Sequence, residues 1–195
     1  MSSQGQEDAI LERIFTRIGT TNKFAVEFGA RDGVRNSNTW NLRVNHRWEC
    51  VLLDCCSAAA IVDEVFLTAK NIVQVFVAHR VPKAFDLLSI DVDGNDFHLW
   101  KALARFTPRV VVIEYNSAFG PTESVVMPYN PRHRWDKTTY YGASAAALVK
   151  LGREKGYSLV DWTPRTNLFF VKDEVLLPPR DPCGYPMTPR RWESY

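Results

Sequence analysis

A chain of 195 residues, 46% hydrophobic and 24% charged, with a formal net charge of +2, has the composition of one globular domain and is too short for two enzymatic ones. Its basic residues are scattered apart from Arg190 and Arg191, which argues against nucleic acid or a membrane surface as a partner. The opening MSSQGQEDAI lacks a basic leader with an apolar core, and no apolar run of membrane-spanning length occurs, so a soluble cytoplasmic protein is expected.

In chain order, Ile10, Leu11, Ile14, Phe15 and Ile18 fall at helical spacing between Glu7 and Gly19, predicting an amphipathic helix that covers a sheet. Phe24 to Gly33, FAVEFGARDG, reads as a strand buried on both faces followed by a glycine turn, with Glu27 and Asp32 near the strand's carboxyl end. A short helix carrying Trp40 and Leu42 inward should come next, and then a strand over ECVLLD, Glu49 to Asp54. Asp54 stands 25 residues beyond Gly29, close to the roughly 20 expected between a glycine turn and an acid that holds a ribose hydroxyl.

Ser57 to Lys70 is read as a helix and the β-branched run Ile72 to Val77 as a third strand. That leaves only Ala78 to Phe85 for the next crossover, too little for a helix. Phe85 to Val92 is a fourth strand running into Asp93-Gly94-Asn95-Asp96, ahead of a helix with Phe97 and Trp100. RVVVIEY, Arg109 to Tyr115, is a fifth strand. Asn116 to Tyr141, rich in proline and aromatics, reads as a packed lid. A helix from Ser144 to Lys155 precedes two strands around Thr163-Pro164-Arg165-Thr166, an antiparallel hairpin. The four cysteines, Cys50, Cys55, Cys56 and Cys183, lack C-x-x-C spacing and read as reduced thiols.

This order of elements predicts an α/β fold: a doubly wound, mostly parallel, Rossmann-like sheet closed by a C-terminal antiparallel hairpin. One domain spans 1–177, and 178–195 forms a proline-rich tail.

The EFGARDG turn, the ECVLLD strand, the DLLSIDVDGND junction, the VVVIEYN strand and the hairpin together resemble the class I S-adenosylmethionine-dependent methyltransferases. More narrowly they resemble the FkbM-like branch, with its G-A-x-x-G turn and I-D-V-[DE]-G junction. The resemblance implies transfer of a methyl group from S-adenosylmethionine to a small-molecule or sugar hydroxyl. It places Glu27, Gly29, Ala30 and Gly33 beneath the methionine part of the cofactor with Asp32 beside it, Asp54 on the ribose, Asp91 at the amino group or the sulfonium methyl, and Ala78 and His79 at the adenine edge.

Three residue-level expectations stand beside it. Glu27 is a carboxylate in an apolar strand, costly to bury without a purpose. Asp93, Glu114 and Asn116 are hard oxygen donors at neighbouring strand ends, a set that suits Mg²⁺. His133, in the lid, is the favoured general base, whereas His98 reads as a packing residue. Two rivals remain: an NAD-dependent oxidoreductase with Asp54 on the nicotinamide cofactor's ribose, and a non-catalytic scaffold that keeps a shortened methyltransferase fold.

Overall fold

A computed structural model describes residues 5–57 and 59–176; the expected proline-rich tail lies outside the described residues. Helix α1 (Glu7–Ile18) precedes strand β1 (Phe24–Phe28), α2 (Trp40–His46), β2 (Glu49–Asp54) and β3 (Asp63–Glu64). There follow α3 (Ile72–Ala78), β4 (Ala84–Ile90), α4 (Asp96–Ala102), β5 (Thr107–Glu114), α5 (Ala145–Glu154), β6 (Tyr157–Trp162), β7 (Asn167–Lys172) and α6 (Asp173–Leu176). The seven strands form one sheet in the order β3-β2-β1-β4-β5-β7-β6. All neighbours are parallel up to β5, and β7 then pairs antiparallel with both β5 and β6.

The central strands bury both faces, and their alternation sorts side chains into two layers. Val26, Phe28, Leu88, Ile90, Val111, Ile113 and Phe170 face the core that includes Ile72 and Phe76 of α3, Leu99 and Trp100 of α4, and Leu148 and Leu151 of α5. Ala25, Leu87, Val110, Val112, Phe169 and Val171 face Ile10, Leu11, Ile14 and Phe15 of α1. Each fully buried large side chain contributes about 1.5–3 kcal/mol, so the two layers hold the sheet rigid from both sides. At its amino end the fold is tied by Asp86, fully buried, which accepts hydrogen bonds from the backbone of Thr21, Asn22 and Lys23 and from Arg109 at 2.8 Å.

One stretch departs from the sequence reading. The segment 57–70 contains no helix among its described residues, only the two-residue edge strand β3, and Ile72–Ala78 is a helix rather than a strand. Thr68 and Asn71 exchange hydrogen bonds at its start (Thr68 N to Asn71 Oδ1, 2.7 Å; Asn71 N to Thr68 Oγ1, 3.2 Å). Ile72 and Phe76, four apart on one face, are fully buried, while Val77 is 67% exposed. Packing of that face overrides the β preference of the valines. The crossover that seemed to lack a helix therefore has one, α3, between β3 and β4, and the case for a shortened fold falls with it.

Candidate functional site

Chain order runs outward from β1 to β3 and then returns to β4 on the other side of β1. Strand order thus reverses between β1 and β4, and in open α/β sheets a ligand crevice opens beyond the carboxyl ends of the strands at such a point. A cavity of about 860 Å³ occupies that place, within the range of small-molecule sites. Gly29 after β1, Asp54 ending β2, Asp91 after β4 and Glu114 ending β5 all line it.

Gly29, just beyond β1, packs against the backbone just beyond β4. Its φ is +68°, and a Cβ there would lie 1.6 Å from the Asp91 carbonyl oxygen, so the position demands glycine both for its dihedral and for space. The Asp54 carboxylate is fixed at its strand tip by the backbone N–H of Arg31 (2.8 Å) and of Cys56 (2.9 Å). Val65, Phe66 and Leu67, just beyond β3, form an apolar stretch of wall on the β2 side. His133, Arg134 and Trp135 line the cavity from the long segment after β5. Arg134 stacks over the Phe66 ring at 5.3 Å.

That segment is pinned at several points. Asn116, 1% exposed, donates its amide to the carbonyls of Thr139 (2.8 Å) and Tyr141 (2.9 Å). Asn95 donates to the Asn130 carbonyl, the Tyr129 hydroxyl accepts from Ala69 N, and His98 Nε2 contacts the Met127 carbonyl. His133 Nε2 lies 3.2 Å from the Asp93 carbonyl, and its ring rests on Gly94, where a Cβ would approach to 2.2 Å. The glycine of the D-G-N-D junction thus makes room for the histidine.

Asp91, Asp93 and Glu114 bring carboxylate oxygens within 4.8 Å of one another. Burial, then the charge of Asp96 and Asp93, pushes the Asp91 pKa up to about 8. Burial and the neighbouring Asp91 push that of Glu114 up to about 11. Asp93 is also raised, by burial, against the opposing pull of Arg31. Glu114 Oε2 is buried with no good hydrogen-bond partner; the carboxyl beside it is another acid. Acids at this spacing keep protons, as these raised values describe, unless a cation takes their place.

The sequence-predicted residues divide accordingly. Gly29, Asp32, Asp54, Asp91, Asp93, Glu114 and His133 line one cavity. Glu27 does not: its buried carboxylate accepts from Ser37 Oγ (2.7 Å), Asn38 N (2.6 Å) and Thr39 Oγ1 (2.5 Å), bracing the turn behind Asn36. Burial raises its pKa against those hydrogen bonds. Ala30 and Gly33 shape the turn from behind, Ala30 N bonding the Leu53 carbonyl and Gly33 N the Ala30 carbonyl. Ala78 and His79 sit at the end of α3, outside the cavity lining, with His79 bonded to the Val75 carbonyl and Asp63. Asn116 spends its side chain on the lid and not on the acidic cluster, where Asp91 takes the place expected of it. Trp135 belongs to the lid that the sequence marked by its aromatics, whereas Arg31, Cys55, Cys56, Phe66 and Arg134 were not singled out as site residues.

The sheet order, the reversed crossover and the antiparallel β7 between β5 and β6 define the Rossmann-like methyltransferase fold. Among solved structures, MycE, a methyltransferase from the mycinamycin biosynthetic pathway in complex with Mg, S-adenosylhomocysteine (SAH) and mycinamycin VI, matches at TM-score 0.52 and 16% identity over 84% of this chain. A second crystal form of MycE matches at 0.50 and 14% identity over the same share. The chain spans about half the length of MycE, 48% in both comparisons. Magnesium protoporphyrin IX methyltransferase from Synechocystis PCC 6803 matches at 0.45 and 11% identity over 87% of this chain and 83% of its own. No family model matches the sequence, and neither does any curated protein.

Proposed function

We propose that this protein is an S-adenosylmethionine-dependent methyltransferase acting on a hydroxyl of a small molecule or sugar, of the FkbM-like branch to which its EFGARDG turn and DVDGND junction are similar. The observation that carries the reading is the arrangement of acids around one cavity: Asp54 alone on the β2 tip, and Asp91, Asp93 and Glu114 clustered across β4 and β5. A methyl donor of this type presents a ribose diol at one end and cationic sulfonium and ammonium groups at the other, which matches that division. The unpartnered Glu114 oxygen supports a cation at the second end.

S-Adenosylmethionine supplies a methyl group made electrophilic by its attachment to sulfonium. The chain's own residues do the rest. Asp54, its orientation set by two backbone N–H groups, would accept hydrogen bonds from the diol; Phe66 and its neighbours, in the cavity wall, would flank the base; and Gly29 would let backbone approach the amino-acid end. Asp91 faces that end as a carboxylate whose ionisation a bound cation favours. His133, with Nε2 donating to the Asp93 carbonyl, keeps the lone pair on Nδ1 and can take the acceptor's proton. Holding acceptor and donor in line provides most of the rate advantage of such a displacement.

Asp91, Asp93 and Glu114 would also hold Mg²⁺, which would orient acceptor oxygens; MycE, with Mg in its complex, supports this. Calorimetry with SAH, with and without Mg²⁺, and with NAD as the contrast, tests the assignment. Micromolar binding of SAH and none of NAD is expected; absence of SAH binding would overturn the proposal.

A further inference from the structure

Two thiols stand at the cavity mouth for which the methyl-transfer reading has no use. Cys55 and Cys56 follow Asp54 directly and both line the cavity. Their sulfurs are 3.0 Å apart, and Arg134 Nη1 lies 3.2 Å from Cys56 Sγ and 3.9 Å from Cys55 Sγ. Cys56 is exposed, whereas Cys55 is half-buried. The third described thiol, Cys50, lies away from the cavity, and burial holds it protonated with a pKa pushed up to about 12.

We propose that Cys55 and Cys56 form a peroxide-sensitive modification site, in which oxidation to a vicinal disulfide closes down the adenosine end of the cavity. Three features of the geometry carry this. The thiols are adjacent in sequence and already in contact, so the bond forms without chain rearrangement beyond the two residues. A guanidinium beside the exposed sulfur stabilises its thiolate, the form that attacks. The pair is also coupled to the site, because Cys56 N donates to Asp54 Oδ1 and Arg134 belongs to the lid wall. The contact with Cys55, then that with Arg134, lowers the Cys56 pKa, while burial pushes Cys55 up to about 11. Cys56 is therefore the attacking thiol and Cys55 the resolving one.

The steps balance with a hydroperoxide as the oxidant. The Cys56 thiolate attacks the distal peroxide oxygen, breaking the O–O bond, giving Cys56 sulfenic acid and releasing hydroxide, which takes up a proton. Cys55 sulfur then attacks the sulfenic sulfur, the S–O bond breaks, and the Cys55 proton leaves with the departing hydroxide as water. Two thiols and one hydrogen peroxide become one disulfide and two waters. Closing the ring between adjacent residues moves the Cys56 N–H that orients Asp54 and removes the thiolate that Arg134 faces.

The test treats the full chain with hydrogen peroxide, maps the products by peptide mass spectrometry and follows SAH affinity by calorimetry. The consequence for affinity rests on the methyl-donor reading; the thiol chemistry does not. The expected result is loss of two hydrogens within the peptide holding Cys55 and Cys56, with SAH binding weakened about tenfold, the scale of one charge-assisted hydrogen bond, and restored by dithiothreitol. Cys55→Ser should instead accumulate a Cys56 sulfenic acid trapped by dimedone, and Cys50→Ser should respond as the natural sequence does. A disulfide to Cys183, oxidation first at Cys50, or unchanged Cys55 and Cys56 would overturn the proposal. If the reduced protein binds no SAH, the methyl-donor reading fails, and the peptide map still decides the thiol chemistry.

Discussion

Replacing Gly29 by alanine tests whether the β1–β4 junction is as tight as the structure makes it. A side chain at φ +68° costs about 1–2 kcal/mol for the dihedral alone. The added Cβ would meet the Asp91 carbonyl oxygen at 1.6 Å, and because that atom is backbone at the end of β4, relief requires the ends of β1 and β4 to part. Overpacking of this sort costs about 1–3 kcal/mol more, giving a total of about 2–5 kcal/mol from a domain stability of about 5–15 kcal/mol. Two further substitutions separate the contributions. Gly156→Ala has φ +78° with nothing within 4 Å of the new Cβ and should show only the dihedral cost. Gly33→Ala, at φ +71° with the tip of Leu52 at 3.0 Å, should fall between, since a side-chain end can yield. Urea unfolding of the three variants reads these costs, and SAH titration of Gly29→Ala should show binding lost even where the protein remains folded. If Gly29→Ala is no less stable than Gly156→Ala, the close approach of β1 and β4 is wrong.

Asp54→Ala should weaken SAH binding by about 1.5–3 kcal/mol, the range for hydrogen bonds to a charged group; calorimetry giving unchanged affinity would remove Asp54 from the ribose. Mg²⁺ at about a hundred times its dissociation constant should stabilise the protein by about 2.7 kcal/mol, and Glu114→Gln should abolish that gain in thermal unfolding while leaving the metal-free protein nearly as stable, since burial already favours the protonated form of Glu114. Asp86 supplies a pH dependence: burial works against its ionisation, but Arg109 and the backbone N–H groups of Thr21 and Lys23 outweigh it and hold the pKa below the ordinary 3.8. Its contribution is therefore complete above about pH 4 and is lost as pH falls through the depressed folded value. Asp86→Asn should cost about 3–5 kcal/mol at pH 7 by leaving Arg109 without its buried partner, and acid titration of its stability should show a shallower fall than the natural sequence.

Much of this architecture was legible because the central strands are short apolar runs that end on acids or glycine. Phe24–Phe28, Glu49–Asp54 and Thr107–Glu114 lie within two residues of where the pattern put them, and the hairpin followed from its four-residue turn. The segment 57–78 was misread for a physical reason: Val73, Val75 and Val77 alternate as in a strand, while the signal that governs, Ile72 and Phe76 on one helical face after a Thr68–Asn71 cap, is visible only once the buried face is known. The site followed the same rule. Residues at strand ends, such as Gly29, Asp54 and Asp91, announce themselves by position. Glu27 was indistinguishable from them until its hydroxyl partners at Ser37 and Thr39 were placed. Phe66 and Arg134 reach the cavity from irregular segments whose course no local pattern encodes.

The amide of Asn116 bonds both Thr139 and Tyr141 across the base of the lid, so the segment leaves β5 and arrives at α5 through one side-chain clasp. Its ends are fixed by this clasp, and its second half is pinned again at Met127, Tyr129, Asn130 and His133. Closing a longer loop between fixed ends costs only about 0.6 kcal/mol per doubling of length. The largely exposed stretch 117–124, ahead of the Val126–Ala143 bridge, is therefore the part of the lid open to insertion or replacement, while His133 and Arg134 stay anchored on Gly94 and Phe66.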